Sequence, residues 1–305
     1  MRILVTGASG LLGINFCIHA TIAHEVIGIV HNVKLLNTPF QVVEADLSNE
    51  LTVQSIIREI RPQLVLHCAA MANLDECERE PDRAHLINTV LPKWIAAECA
   101  KDGIHLIHIS TDAVFDGQKT EKYNEEDTPN PLSVYARTKF EGEFAVKEVC
   151  PSALIARVNF YGFSIGGKRS LAEFFLNNLL SNNQMNGFID VFFSPLYVKD
   201  LSDILIKMAK KGLSGMYHVA SSETISKYHF GVRFAEKFGF PTHLISPLSV
   251  DDAGLSAPRS HNLALDVSTI EKKLSIEMPN VDQGLLNFWT DYQSGLAQII
   301  QSYKL

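Results

Sequence analysis

Residues 2–13 read Arg2-Ile3-Leu4-Val5-Thr6-Gly7-Ala8-Ser9-Gly10-Leu11-Leu12-Gly13. A short aliphatic run ends in glycines spaced by three, and an apolar pattern at helical spacing continues through Phe16 and Ile18. A strand that turns into a helix over Gly-x-x-Gly-x-x-Gly has the form of a dinucleotide-binding unit. The first glycine permits the tight turn, the second admits a pyrophosphate to the backbone, and the third lets the helix pack on the strand. The helix N-terminus then faces the phosphate charge. Gly7, Ser9, Gly10, Leu11, Leu12 and Gly13 are therefore candidate cofactor contacts. The competing reading is an ordinary strand–helix turn with incidental glycines.

Outward from this turn, strands alternate with helices. Extended runs fall at 26–30, 41–44, 64–67, 105–109 and 153–158, with helical patterns at 51–60, 82–102 and 133–149. Strand–helix alternation demands crossovers, and crossovers place helices on both faces of a mostly parallel sheet. The expected fold is α/β: a Rossmann-type doubly wound parallel sheet with a smaller mixed α/β C-terminal domain for substrate. The boundary is placed near residue 160, giving an NAD(P)-binding domain over 1–160 and a substrate domain over 161–305. Elements from about 195–225 are expected to return to the sheet. The later half reads as a loop at 162–168, helices at 170–181, 200–211 and 226–239, a strand at 216–219, and one amphipathic helix at 283–303. No internal repeat or low-complexity stretch is visible.

Composition excludes several classes. The chain has 305 residues, 46% hydrophobic and 20% charged, with 27 Lys+Arg against 34 Asp+Glu and a net charge of −7. An acidic chain with no basic block is unsuited to nucleic acid or an anionic membrane. No apolar run approaches the roughly 20 residues that span a bilayer. The first strand begins almost at Met1, which leaves no room for a cleavable leader. Five cysteines without a CxxC pair read as reduced thiols, hence a cytoplasmic setting. Eleven histidines form no HExxH or Cys/His cluster, so no metal site is expected.

The second strand ends in His31-Asn32, followed by Lys34. No carboxylate stands there to accept from a ribose 2′-OH, the usual mark of NAD. His31, Asn32 and Lys34 suit a 2′-phosphate, or are surface residues of a loop. Asp46-Leu47 borders the adenine or, alternatively, Asp46 or Ser48 caps the next helix.

Tyr135 and Lys139 lie four residues apart on a helical pattern and so share one face. A nearby ammonium lowers the pKa of a phenol and tunes it for proton transfer, although a Tyr-x-x-x-Lys pair is also common on solvated helix faces. Upstream, the strand at 105–109 runs into Ser110-Thr111, at the carboxyl end where open α/β sheets bind ligands. Either hydroxyl is a candidate partner for Tyr135, since neighbours on a strand point to opposite faces. Phe188, Phe192, Phe193 and Tyr197 are base-stacking candidates or core residues.

These motifs converge with His67-Cys68-Ala69-Ala70, Ser110-Thr111-Asp112-Ala113-Val114-Phe115-Asp116-Gly117 and Tyr135-x-x-x-Lys139-x-x-Gly142-Glu143. Tyr123-x-Glu125-x-Asp127-x-Pro129-x-Pro131 and Pro258-Arg259-Ser260-x-Asn262-x-x-Leu265-Asp266 extend the match. Together they resemble the extended short-chain dehydrogenase/reductases, in particular the dTDP-4-dehydrorhamnose reductase branch. The resemblance implies catalytic roles for Thr111, Tyr135 and Lys139, with Lys139 also holding the nicotinamide ribose. It implies that Ala69, Ala70 and Asn88 lie against the cofactor; Thr111, Asp112 and Asn159 are substrate candidates, and Arg259 either clamps a pyrophosphate or carboxylate of the substrate or forms a surface salt bridge. The implied reaction is hydride delivery from NADPH, with NADH as the second option, to the C4 ketone of a nucleotide-activated 6-deoxy-sugar. Tyr135 protonates the alkoxide, and a homodimer is compatible with the family.

Ala113, the run Asn159-Phe160-Tyr161, and Met71-Ala72 replace residues the branch usually offers to the sugar. A pocket stripped of these aromatics suits a different sugar. The chain also resembles the regulatory beta subunit of methionine adenosyltransferase, which acts by binding a partner enzyme. A sugar-nucleotide epimerase that retains NAD is a third reading.

Overall fold

A computed structural model describes residues 1–254 and 260–304. Six parallel strands come from the first half: β1 (Arg2–Thr6), β2 (Glu25–Val30), β3 (Gln41–Glu44), β4 (Leu64–His67), β5 (His105–Thr111) and β6 (Leu154–Val158). A seventh, Gly215–Val219, pairs parallel with β6, and the sheet order is Gly215–Val219, β6, β5, β4, β1, β2, β3. This is the doubly wound Rossmann order with one strand added at the β6 edge. The order reverses between β1 and β4, so the carboxyl ends of these two strands open the crevice where such sheets take ligands.

Both faces of the sheet are covered, which is why its strands read as continuous aliphatic runs. In β1, Ile3 and Val5 pack on one side with Ile14 and Phe16 of the helix α1 (Leu11–Ala20), whereas Leu4 packs on the other with Val53, Ile57, Leu91 and Ile95. The later half adds short strands. Phe192–Phe193 pairs with Ile225–Ser226 and Asn262–Leu263, and Met185–Phe188 pairs with Ile245–Leu248. An aromatic core of Tyr161, Phe163, Phe230, Phe234 and Phe288 joins this region to the sheet. Phe193 and Tyr197 belong to that core, whereas Phe192 is exposed.

Three local expectations change. The helix read over 82–102 is interrupted by a π turn at Leu86–Val90, placed just before Pro92. The helix read over 283–303 is two helices, Val281–Gln293 and Leu296–Ser302, broken at Gly295. The cap of the Glu50–Ile60 helix is Asn49, whose side chain accepts from Leu51 and Thr52 N–H, so neither Asp46 nor Ser48 caps it. No helix among the described residues is long and apolar enough to cross a membrane.

Candidate active site

The glycine turn sits at the crevice. Gly7 has φ +68°, and Gly10 N–H donates to its carbonyl at 2.8 Å. A Cβ on Gly13 would lie 2.2 Å from the Gly7 oxygen, so the close helix–strand approach requires glycine there. Gly10 caps α1 without any side-chain bond, and the first turn holds no acidic residue. The first N–H groups of α1 are thus free of an internal anionic partner and suit a pyrophosphate. Leu12 is buried in the core, while Ser9 and Leu11 are partly exposed at the turn.

Thr6 Oγ1 fixes the neighbouring strand exit. It lies 2.7 Å from His67 Nδ1 and accepts from Ala69 N–H at 3.2 Å. Ala69 and Ala70 follow as small, partly exposed residues. After β2, Lys34 pairs with Glu44 at 3.3 Å and His31 lies 3.9 Å from Asp46. Asp46 accepts from Ser48 N–H, which holds its carboxyl below the usual range, and Leu47 is buried beside it.

Asn88 differs from the cofactor contact implied by the resemblance. Its amide donates to Met71 O and Thr138 Oγ1, and its carbonyl accepts from Met71 N–H. Both donors are engaged, so Asn88 ties the segment after β4 to the Val134–Val149 helix rather than projecting into the cleft.

Thr111 and Ser110 diverge as alternating strand residues must. Ser110 Oγ donates to Glu143, on the face covered by the Val134–Val149 helix. Thr111 donates to Asp112 Oδ1 at 3.0 Å and lies near enough to the Tyr135 phenol to pull its pKa down. Asp112 is buried, which pushes its pKa up to about 6, and it also accepts from Asn159 Nδ2. Thr111, Asp112 and Asn159 therefore form one hydrogen-bonded group beside Tyr135. Arg259 lies outside the described residues.

Lys139 projects from the same helix, is buried, and donates to Ile109 O at 2.7 Å. The sequence suggested that its ammonium would lower the Tyr135 pKa. Instead burial dominates and pushes the phenol up to about 12, with Thr111 pulling the other way. Burial likewise brings Lys139 down to about 8, opposed by Glu143. Lys139 is buried and Tyr135 partly so, and desolvation shifts each toward its neutral form, which at neutral pH leaves the phenol protonated and able to donate.

Sequence reasoning missed two buried features beneath this site. Glu143, eight residues after Tyr135 on the same face, accepts two bonds from Arg157, at 2.9 and 2.7 Å. His67 and His108 face each other across β4 and β5 with ring centroids 5.3 Å apart. The pair follows from the β4–β5 register, which sets His67 opposite His108.

The histidines make stability acid-sensitive. Burial lowers His67 and His218 to about 3 each and His108 well below its ordinary value. Their folded pKa values lie under the unfolded value near 6.5, so the unfolded chain binds more protons. Their contribution is complete above about pH 6.5 and is lost as pH falls toward 3, at about 1.4 kcal/mol per pH unit for each proton. Urea unfolding between pH 7 and 4 should show this decline, to which other groups such as Asp112 add opposing terms. It should be smaller in His108→Phe, and an equal decline in that variant would remove His108 from the account.

A model of the RmlD substrate binding domain family matches residues 1–294. The chain belongs to that family. The probable low-salt glycan biosynthesis reductase Agl14 of Haloferax volcanii is 32% identical over 304 residues, 96% of this chain and 100% of that protein. Methionine adenosyltransferase 2 subunit beta of Xenopus tropicalis is 31% identical over 281 residues, 89% of this chain and 82% of that one. Among solved structures, dTDP-4-dehydrorhamnose reductase from Bacillus anthracis in complex with NADP superposes with a TM-score of 0.82 at 26% identity, covering 95% of this chain and 99% of that one. Membership of the RmlD family and its fold are thereby established.

Proposed function

We propose that this protein is an NADPH-dependent reductase of a nucleotide-activated 4-keto-6-deoxy-sugar. The observation that supports the reading is Thr111 beside the Tyr135 phenol at the end of β5, with Lys139 on the same helix face and the uncapped glycine turn at the neighbouring strand end. NADPH, bound along the turn, supplies the hydride for the C4 ketone. Gly7, Gly10 and Gly13 with the first N–H groups of α1 receive its pyrophosphate. His31, Asn32 and Lys34 face the 2′-phosphate, Asp46 and Leu47 flank the adenine, and Ala69 and Ala70 leave room for the dinucleotide. Lys139 holds the nicotinamide ribose, and Asn88 positions the wall behind it. Tyr135 holds a proton beside the substrate oxygen and releases it to the alkoxide. Thr111 orients that oxygen, with Asp112 and Asn159 fixing Thr111. Residues 161–305 supply the sugar-nucleotide side, with Arg259 assigned to it.

The departures at Ala113, Met71 and Ala72 fit a sugar other than rhamnose. Consumption of NADPH against dTDP-, UDP- and GDP-linked 4-keto-sugars tests the reading. Turnover with one class supports it, and none with any class removes it. Lys139 also sets an alkaline limb. It carries its charge below about pH 8 and loses it above, so kcat/KM should fall as pH rises through 8. A profile flat to about pH 10 would remove the Lys139 charge from the rate-determining steps.

The similarity to methionine adenosyltransferase 2 subunit beta favours a second reading, a cofactor-binding regulatory subunit. Capture of an adenosyltransferase, with no NADPH use against any keto-sugar, distinguishes it.

A further inference from the structure

The Leu296–Ser302 helix and the two residues after it reach the adenosine side of the crevice. Ile300 is fully buried and Ala297 and Tyr303 nearly so, within the core cluster on the α1 side of the sheet. Leu36 N–H donates to Tyr303 O at 2.8 Å, and Leu35 forms an antiparallel bridge with Lys304. Leu35 is itself buried. The segment thus held follows β2 directly and bears His31, Asn32 and Lys34. On its other side the helix meets the loop after Gly162: the Gln301 amide nitrogen lies 2.8 Å from where a Gly167 Cβ would stand. Asn15 of α1 binds the start of that loop by donating to Phe163 O. The helix and the residues after it therefore contact both the loop after β2 and the loop after Gly162.

In an open α/β sheet the loop after the second strand decides between a ribose 2′-OH and a 2′-phosphate. Here its charged residues already have carboxylate neighbours, Glu44 for Lys34 and Asp46 for His31. All four side chains are about half exposed, so these pairs are weak and do not fix the loop. Backbone pairing with Tyr303 and Lys304, seated on a buried residue, holds it more firmly. We infer that the C-terminal helix positions the loop after β2 through Tyr303, and thereby sets the discrimination between NADPH and NADH. This rests on the dinucleotide reading above. Tyr303 is a positioning residue, since it reaches the cofactor only through the loop.

The test compares dissociation constants for NADPH and NADH, by nicotinamide fluorescence, in the wild-type protein, Tyr303→Gly, Tyr303→Phe and Gln301→Ala. Tyr303→Gly is expected to weaken NADPH about tenfold, the effect of one charge-assisted hydrogen bond, with NADH nearly unchanged. Tyr303→Phe keeps the buried ring and should retain the wild-type ratio. Gln301→Ala, which faces the loop after Gly162 instead, should shift the ratio less. A folded Tyr303→Gly protein with an unchanged ratio would overturn the inference. Should that variant fail to fold, hydrogen exchange in the wild-type protein decides. Strong protection of the Leu36 amide without ligand supports the tether, and rapid exchange overturns it. If the wild-type protein bound neither dinucleotide while Leu36 stayed protected, the dinucleotide reading would fall and the tether would survive.

Discussion

Tyr135→Phe is expected to lower kcat by about 10²–10⁴-fold, the usual contribution of a positioned general acid, while NADPH affinity stays nearly intact. The ring fills the same space, so the change removes one hydroxyl. In the proposed reaction that hydroxyl is the proton source, and desolvation keeps it protonated: the phenol is pushed up to about 12, far above neutral pH. Thr111 faces it from the end of β5 and is itself anchored on Asp112. Thr111→Ala should therefore cost less than Tyr135→Phe, since it loosens orientation without removing the proton. Steady-state kinetics and a parallel NADPH titration separate the two effects. Full turnover in Tyr135→Phe would contradict the assignment.

Arg157→Ala is expected to destabilise the fold by about 3–5 kcal/mol, the cost of leaving a buried charge uncompensated. Glu143 and Arg157 are 3% and 4% exposed, so little water reaches the carboxylate when its partner is lost. The guanidinium also lies 5.0 Å over the Phe115 ring, which stacks on Tyr123 at 4.1 Å. Glu143 accepts from Ser110 as well, so the pair ties the helix bearing Tyr135 and Lys139 to β5 and β6. Urea unfolding gives the magnitude. The double variant Glu143→Gln, Arg157→Met should recover part of the loss, because it removes both charges of the pair, although Lys139 then loses the carboxylate that supports its own charge. A loss under about 1 kcal/mol in Arg157→Ala would mean that the pair behaves as if exposed.

The sheet was legible because its strands bury both faces and therefore read as unbroken aliphatic runs, and because Gly7, Gly10 and Gly13 mark the first turn. The Tyr135–Lys139 face followed from helical spacing. What the sequence concealed depends on contacts between distant segments. Nothing local in Leu86–Val90 announces a π turn; it is stabilised where Asn88 binds Met71 and Thr138. Ser110 and Thr111 were equal candidates until the strand's orientation assigned Ser110 to Glu143. The direction of the Tyr135 shift was misread because spacing shows a neighbouring ammonium but not the depth of burial. The buried His67–His108 pair needed strand register, which only the β4–β5 pairing fixes.

The most direct measurement follows the hydride itself. The protein is incubated with NADPH carrying deuterium at the transferable position of the nicotinamide and with nucleotide-linked 4-keto-6-deoxy-sugars, and the products are read by mass spectrometry. Deuterium at C4 of one sugar, lost in Tyr135→Phe, is the expected result. Unlabelled sugars throughout, with the cofactor unconsumed, would contradict the proposal that this crevice performs a reduction.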